Sequence, residues 1–170
     1  YDYYMVLNPG YHIKNKLFDS VAKLLLVKGM TMEIYEKLKE YVTIFPREGQ
    51  FTVNFDTASE IVLKALSYSV LDTVVAEKAD ADSMVMKLIE YRRGEDGVEF
   101  TKDDRVIELS DIGINAKERV ISLAINPYRV KKSNFIRIQV NAVQEARNVE
   151  ANIESIVKRD DLSVVYWKRQ

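Results

Sequence analysis

The side chains best suited to binding an ion are carboxylates gathered in two parts of the chain. Asp80 and Asp82 stand at the start of a predicted helix, and Asp103 and Asp104 end an acid-rich stretch that begins at Glu95. Ca²⁺ takes about six to eight oxygen ligands, which acidic loops can supply. The spacing is not that of an EF-hand, so helix capping and a solvated face are the simpler explanation. Calcium at these four aspartates is therefore a hypothesis, and no other cofactor is expected.

Two neighbouring aromatic residues near the end of the chain, Tyr166 and Trp167, could anchor a contact with another subunit. Aromatic side chains are enriched in the cores of protein interfaces. Successive side chains of a strand point to opposite faces, so we expect one of the two to face the core of this chain instead.

The residue types in the chain exclude several kinds of catalytic site. The chain has no cysteine and a single histidine, His12, which excludes thiolate chemistry and two-histidine metal sites and makes a Ser/His pair difficult to build. Asp103 and Asp104 are adjacent rather than on opposite sides of a cleft, unlike the paired carboxylates of glycosidases. No glycine-rich phosphate loop is present either. We predict that the protein is not an enzyme.

The charge is divided unevenly along the 170 residues. Residues 1–126 carry 16 basic and 21 acidic side chains, a balance of −5, whereas residues 127–170 carry 9 and 5, a balance of +4. The change falls at Pro127, which also stops a helix. We predict two domains on this basis, residues 1–130 and residues 131–170. No window reaches the roughly 18 apolar residues that a membrane-spanning helix needs.

The first of these domains has the pattern of short helices joined by short loops. Thr31 is a candidate cap, Thr57 and Glu60 have the spacing of a capping box, and so do Asn115 and Glu118. The helix after Asp80 places Val85, Leu88 and Ile89 on one apolar side, and a further helix start is predicted at residues 101–104. These features predict an orthogonal helical domain of the helix-hairpin-helix or SAM-like kind.

The second domain has the alternation of β-strands. Apolar and polar residues alternate over residues 136–141, 149–154 and 162–167, with a short turn at Asp160 and Asp161. The three strands predict an antiparallel meander, and the fold class is therefore α+β. A sheet with one apolar face needs a covering element.

Five stretches of sequence resemble, in order, the minor pseudopilin K family of type II secretion systems. The longest runs from Val53 to Leu66 and is similar to the family's Asn-x-Asn-Thr-Ala segment, with Asp56 where the family usually has Asn. Because either residue caps a helix, that departure matters little. The other stretches are residues 15–20 with 25–30, residues 89–93 with 97–100, residues 133–138, and the closing Val-Val-Tyr-Trp-Lys-Arg of residues 164–169.

The resemblance implies a pilin-type sheet with a large inserted helical domain, at the tip of a periplasmic pseudopilus that exports folded proteins. It implies association with the minor pseudopilins I and J, and a role in initiating and capping assembly. It also implies a periplasmic location in a Gram-negative bacterium, anchored to the inner membrane by an N-terminal helix that precedes Tyr1. Some pseudopilins bind calcium, which keeps that hypothesis open.

Two other functions remain as alternatives. Residues 53–66 also resemble helix-hairpin-helix modules that bind or take up DNA. Those modules need a Gly-Ile-Gly hairpin whose backbone amides approach a phosphate, whereas the chain keeps only one glycine at each candidate hairpin, Gly29 and Gly113. The negative helical region would also repel a polyanion, so no nucleic acid partner is expected. The second alternative is a minor pilin of a type IV pilus system.

Overall fold

The computed structural model describes residues 2–47, 49–144 and 149–169. These residues form both helices and β-strands. The chain divides into two compact units, residues 1–49 and residues 50–170. The first unit contains α1 (Asp2–Met5), a 3₁₀ helix (Val21–Leu26) and α2 (Met32–Leu38). Thr31 caps α2, since its side chain accepts from the amide of Ile34 at 3.2 Å. That predicted cap is confirmed.

The second unit begins with a helical region. Its helices are α3 (Glu60–Tyr68), α4 (Lys78–Arg92) and α5 (Ala116–Ile125), with 3₁₀ turns at Leu71–Thr73 and Asn126–Tyr128. Two short strands, β1 (Val53–Asn54) and β2 (Arg129–Val130), pair in parallel and join the beginning of this region to its end. Strands of two residues are too short for a period-2 pattern, so the sequence did not predict them.

The helix starts agree with the sequence in part. Asn115 and Glu118 form the predicted capping box of α5. The cap of α3 is Ser59 and not Thr57, because Ser59 accepts from the amide of Val62. No helix begins at residues 101–104, which lie in turns and loop.

The core of the second unit is built by the helical region. Leu88 and Ile89 lie on the buried side of α4, as predicted, and Phe55 packs beside them with no exposed surface. The buried cluster consists of Val53, Phe55, Leu63, Leu66, Val70, Ala81, Met84, Val85, Leu88, Ile89, Ile107, Ile112, Ile121 and Ile125. No described side chain of residues 135–169 belongs to this buried cluster.

A three-stranded antiparallel sheet follows in the order β3 (Phe135–Gln144), β4 (Val149–Lys158) and β5 (Val164–Arg169). This is the predicted meander, and the α+β prediction is confirmed to that extent. The predicted boundary at residue 130 lies between β2 and β3, inside the second unit. The two-domain division, the orthogonal helix arrangement and the pilin type of the sheet stay predictions.

Candidate functional site

One face of the three-stranded sheet is apolar, and most of its described side chains are exposed. Residues paired across antiparallel strands share a face, and the register places Ile138 beside Ser155 and Val140 beside Ile153. On β5, Trp167 lies beside Ser155. The exposed apolar members of this face are Ile136, Ile138, Val140, Val164 and Trp167, with Ala142, Ala151, Ile153 and Val157 between them. We call these residues the apolar sheet face.

The exposure of this face is large for side chains of this type. Trp167 is 60% exposed and Val164 is 59% exposed. Large contiguous apolar patches on protein surfaces are typical of interaction sites. Arg169 is the one charged side chain at the described positions of this face, and it lies beside Ile153 at one corner.

The opposite face of the sheet is mainly polar. It carries Arg137, Glu154 and Lys168, and the sequence alternation that separates the two faces is the one that predicted the strands. Tyr166 belongs to this face, beside Ile156, and is half-buried. The structure thus places the two predicted contact aromatics on opposite faces and leaves only Trp167 on the apolar one. A contact role for either residue stays a prediction.

A β-bulge next to Val157 sets this arrangement on β5. The register shifts between Ile156 and Val157, so Val164 and Trp167 share a face although they are three residues apart. The β4–β5 turn is held by Asp161, whose carboxylate accepts from the amide of Ser163 at 3.0 Å and from its hydroxyl at 2.6 Å. These hydrogen bonds lower the pKa of Asp161.

The four aspartates of the calcium hypothesis lie in two separate places. Asp80 completes the capping box of α4 with Glu77, because its Oδ2 accepts a hydrogen bond from the backbone amide of Glu77 at 2.9 Å. Asp82 accepts a hydrogen bond from the Tyr68 hydroxyl, which lowers the pKa of Asp82. Both lie in the first turns of α4.

Asp103 and Asp104 lie beyond the other end of α4. At about 1.5 Å of rise per residue, the ten residues from Asp82 to the helix end at Arg92 separate the pairs by roughly 15 Å. Within the described ranges no group of three or more acidic or histidine side chains is arranged to hold a metal ion. The four residues are therefore not brought together, and calcium binding stays a hypothesis.

The sequence did not predict the burial of two ionic residues of the helical region. Arg92 is 4% exposed, and its guanidinium donates to the carbonyls of Phe55 at 3.0 Å and Ala58 at 2.6 Å. Glu118 has no exposed surface and joins α5 to α4. The signal for Arg92 was its position four residues after Leu88, on the buried side of α4.

Two backbone amides of the hairpin after the 3₁₀ helix donate hydrogen bonds within the first unit. The amide of Lys28 donates to the Tyr4 hydroxyl at 3.1 Å, and the amide of Met30 donates to the Val27 carbonyl at 3.0 Å. A phosphate-binding hairpin would present such amides to the nucleic acid. Gly29, with a φ of +87°, supplies the turn.

Residues 1–47 match the model of a protein family described as type II secretion system (T2SS), protein K. No significant match was found among curated proteins, and none was found among solved structures. Within the described residues no helix combines the length and apolar character needed to cross a lipid bilayer.

Proposed function

We propose that the chain acts as a minor pseudopilin, because residues 1–47 match the model of the type II secretion system protein K family. In this role it sits at the tip of the secretion pseudopilus, associates with the minor pseudopilins I and J, and helps to initiate and cap assembly. The family match supports a role in type II secretion, and the tip position and partners are the proposed part.

The apolar sheet face is the observation that carries the proposal. A subunit of a filament needs an exposed apolar surface that is buried on assembly. The apolar sheet face is such a surface, and Trp167 is its largest exposed side chain. Burying apolar surface is favourable by about 25 cal/mol per Å², so covering this face would contribute substantially to assembly. A pilin-type sheet is covered in this way by a helix.

The helical region supports the capping part of the proposal. It has its own core and shares no described core residue with the sheet, so it can project from the sheet as a separate mass. We infer that this mass blocks the addition of further subunits above it. The periplasmic, inner-membrane-anchored location belongs to the same proposal.

The proposal is tested by mixing the purified chain with its cognate I and J subunits and measuring complex formation by analytical ultracentrifugation. Trp167→Glu puts a charge on the apolar sheet face and is expected to weaken the complex at least about tenfold. The matched control is Lys168→Glu, one residue along β5 on the opposite face. Failure of the wild-type chain to bind I and J, singly or as a pair, would refute the tip-complex role.

A further inference from the structure

Residues 1–30 of the first unit expose basic and apolar side chains together. This stretch carries four lysines and two acidic residues, a balance of +2, whereas residues 31–49 carry three basic and four acidic residues, a balance of −1. The lysines are Lys14, Lys16, Lys23 and Lys28. The exposed large apolar side chains of this stretch are Tyr3, Met5, Val6, Leu7, Leu17, Phe18, Leu26 and Val27.

The basic side chains gather around one carboxylate. An oxygen of the Asp19 carboxylate lies 3.0 Å from the Lys14 ammonium and also accepts a hydrogen bond from Lys23. The Arg47 guanidinium lies 4.0 Å from the same carboxylate and donates to the Asp19 backbone carbonyl at 3.3 Å. Three cations thus surround a single acid and leave a charge of +2, to which the exposed Lys16 adds. We call these five residues the basic cluster.

The tyrosines of residues 3–11 pack against the end of the 3₁₀ helix. The Tyr11 hydroxyl donates to the Leu26 carbonyl, and the Tyr4 hydroxyl accepts from the amide of Lys28 at 3.1 Å. The Lys28 ammonium lies 4.5 Å from the centre of the Tyr3 ring, which is a cation–π contact. A further cation is therefore held among aromatic side chains.

The 3₁₀ helix joins the basic cluster to the tyrosines. Side chains three residues apart on a 3₁₀ helix eclipse each other, so Lys23 and Leu26 lie on the same side of it. Leu17 and Phe18, which directly precede Asp19, add two exposed apolar side chains beside the basic cluster. We call the basic cluster, the tyrosines and these apolar side chains the basic–apolar surface.

The acidic side chains of α2 are matched by lysines of the same helix and its end. Glu33 is paired with Lys37 at 2.7 Å, and Glu36 is paired with Lys39 at 2.6 Å. The hydrogen bond with Glu36 and the charges of Glu36 and Glu40 raise the pKa of Lys39, so Glu40 also acts on this lysine. These acids therefore leave the positive charge of the basic cluster uncancelled.

We propose that the basic–apolar surface binds the surface of an anionic phospholipid bilayer. Lysine and arginine are attracted to negative headgroups, while apolar side chains enter the boundary between headgroups and acyl chains. Tyrosine is enriched at that boundary, because its ring is apolar and its hydroxyl is polar. A bilayer fits better than a protein partner, because cations and apolar side chains alternate along this surface, whereas a protein interface has an apolar core depleted of charge. The inference goes beyond the proposed function, since it requires neither I nor J.

The test uses the 170-residue chain and lipid vesicles, with binding measured by co-sedimentation. The chain is expected to bind vesicles of about 30% phosphatidylglycerol in phosphatidylcholine and not vesicles of phosphatidylcholine alone. Added salt should weaken binding, because it screens the charges. Lys14→Gln combined with Lys16→Gln removes two cations and should weaken binding at least about tenfold, since each basic residue near an anionic surface contributes roughly fivefold.

The matched control is Lys37→Gln combined with Lys39→Gln, which removes two lysines with the same spacing from the α2 side of the same unit. It should change binding less than about threefold, because these lysines lie outside the basic–apolar surface. Circular dichroism melting of each variant checks that the fold is kept.

The apolar part of the surface is tested by Leu17→Ser, which should weaken binding at least about threefold. Its control is Met32→Ser, which changes an exposed apolar side chain on α2 and should leave binding unchanged. Equal binding to both kinds of vesicle, or equal effects of either variant and its control, would overturn the membrane proposal. The proposed function would then stand, because it is tested with I and J in the absence of lipid.

Discussion

Lys87 on α4 and Glu118 on α5 form an ion pair across the two helices, with Nζ 2.7 Å from Oε2 and 2.9 Å from Oε1. Glu118 also accepts from the Ser83 hydroxyl at 2.7 Å and from the amide of Asn115 at 2.7 Å. The same carboxylate therefore completes the capping box of α5 and fastens α5 to α4. No exposed surface remains on its side chain, whereas Lys87 is 35% exposed.

Glu118→Ala is expected to destabilise the helical region by about 2–4 kcal/mol, because it breaks a largely buried pair and leaves Ser83 and Lys87 without their partner. The measurement is urea unfolding followed by circular dichroism. Glu33→Ala is the control, since the Glu33–Lys37 pair is exposed on both sides and should contribute less than about 0.5 kcal/mol. Equal losses for the two variants would contradict a special role for Glu118.

The same residue predicts a dependence of stability on pH. Burial raises the pKa of Glu118, but hydrogen bonds from Lys87, Ser83 and the Asn115 amide outweigh it and leave the pKa below its usual value. A carboxyl whose pKa is lower in the folded state stabilises the fold above its unfolded pKa, about 4.3. That contribution is lost as the pH falls through the folded pKa. The free energy of unfolding should therefore drop more steeply below about pH 4.3 in the wild type than in Glu118→Gln.

The loop that follows α4 contains two glycines with similar backbone angles but different surroundings. Gly94 and Gly97 have φ values of +68° and +70°. A Cβ on Gly94 would clash with the carbonyl oxygen of Asp103, whereas a Cβ on Gly97 would meet nothing within 4 Å. Gly97→Ala should cost about 1–2 kcal/mol from backbone conformation alone, and Gly94→Ala should cost more, because the loop must also shift.

Thermal unfolding of the two glycine variants measures this difference. A cost for Gly94→Ala no larger than that for Gly97→Ala would mean that the close approach of Gly94 to Asp103 does not hold the loop.

The sequence predicted the features that depend on local pattern. Alternation predicted all three strands of the sheet, and the spacing of Asn115 and Glu118 predicted the cap of α5, because a cap and a strand face are each determined within a few residues. Thr57 was the wrong cap because Ser59 has the same chemistry two residues later. The left-handed conformation of Phe100 depends on a hydrogen bond from its amide to the Asp104 carboxylate, which only the folded loop brings near, so no sequence pattern predicts it.

The burial of Arg92 was not predicted for a related reason. Arg92 has its acceptors at Phe55 and Ala58, more than thirty residues earlier in the chain. A residue of this type at the end of a helix is equally well explained by the helix dipole. Only the tertiary contacts show which of these two explanations applies to Arg92. The separation of Asp80 and Asp82 from Asp103 and Asp104 likewise depends on the tertiary structure.

Calcium binding can be decided by thermal melting with added Ca²⁺ and with a chelator. A ligand that binds only the folded state stabilises it by RT ln(1 + [L]/Kd), about 2.7 kcal/mol when its concentration is a hundred times Kd. A site at Asp103 and Asp104 should therefore raise the melting temperature with Ca²⁺, and Asp103→Asn should abolish the rise. Asp82→Asn is the control for the pair at the start of α4. No shift in the wild-type chain would remove the metal hypothesis.

The separation of the sheet from the helical core gives the last prediction. Phe55 is fully buried in the helical core, whereas Ile138 is 45% exposed on the apolar sheet face. Phe55→Ala should destabilise the helical region by about 3–5 kcal/mol through loss of burial and creation of a cavity. Ile138→Ala should cost less than about 1 kcal/mol in the isolated chain, because the methyl groups it removes are already half in water. The proposed contact with I and J would cover Ile138, so Ile138→Ala should weaken assembly more than it destabilises the isolated chain. Hydrogen exchange of the isolated chain and of the complex measures both effects, and protection of β3 that does not increase in the complex would show that the apolar sheet face stays uncovered there.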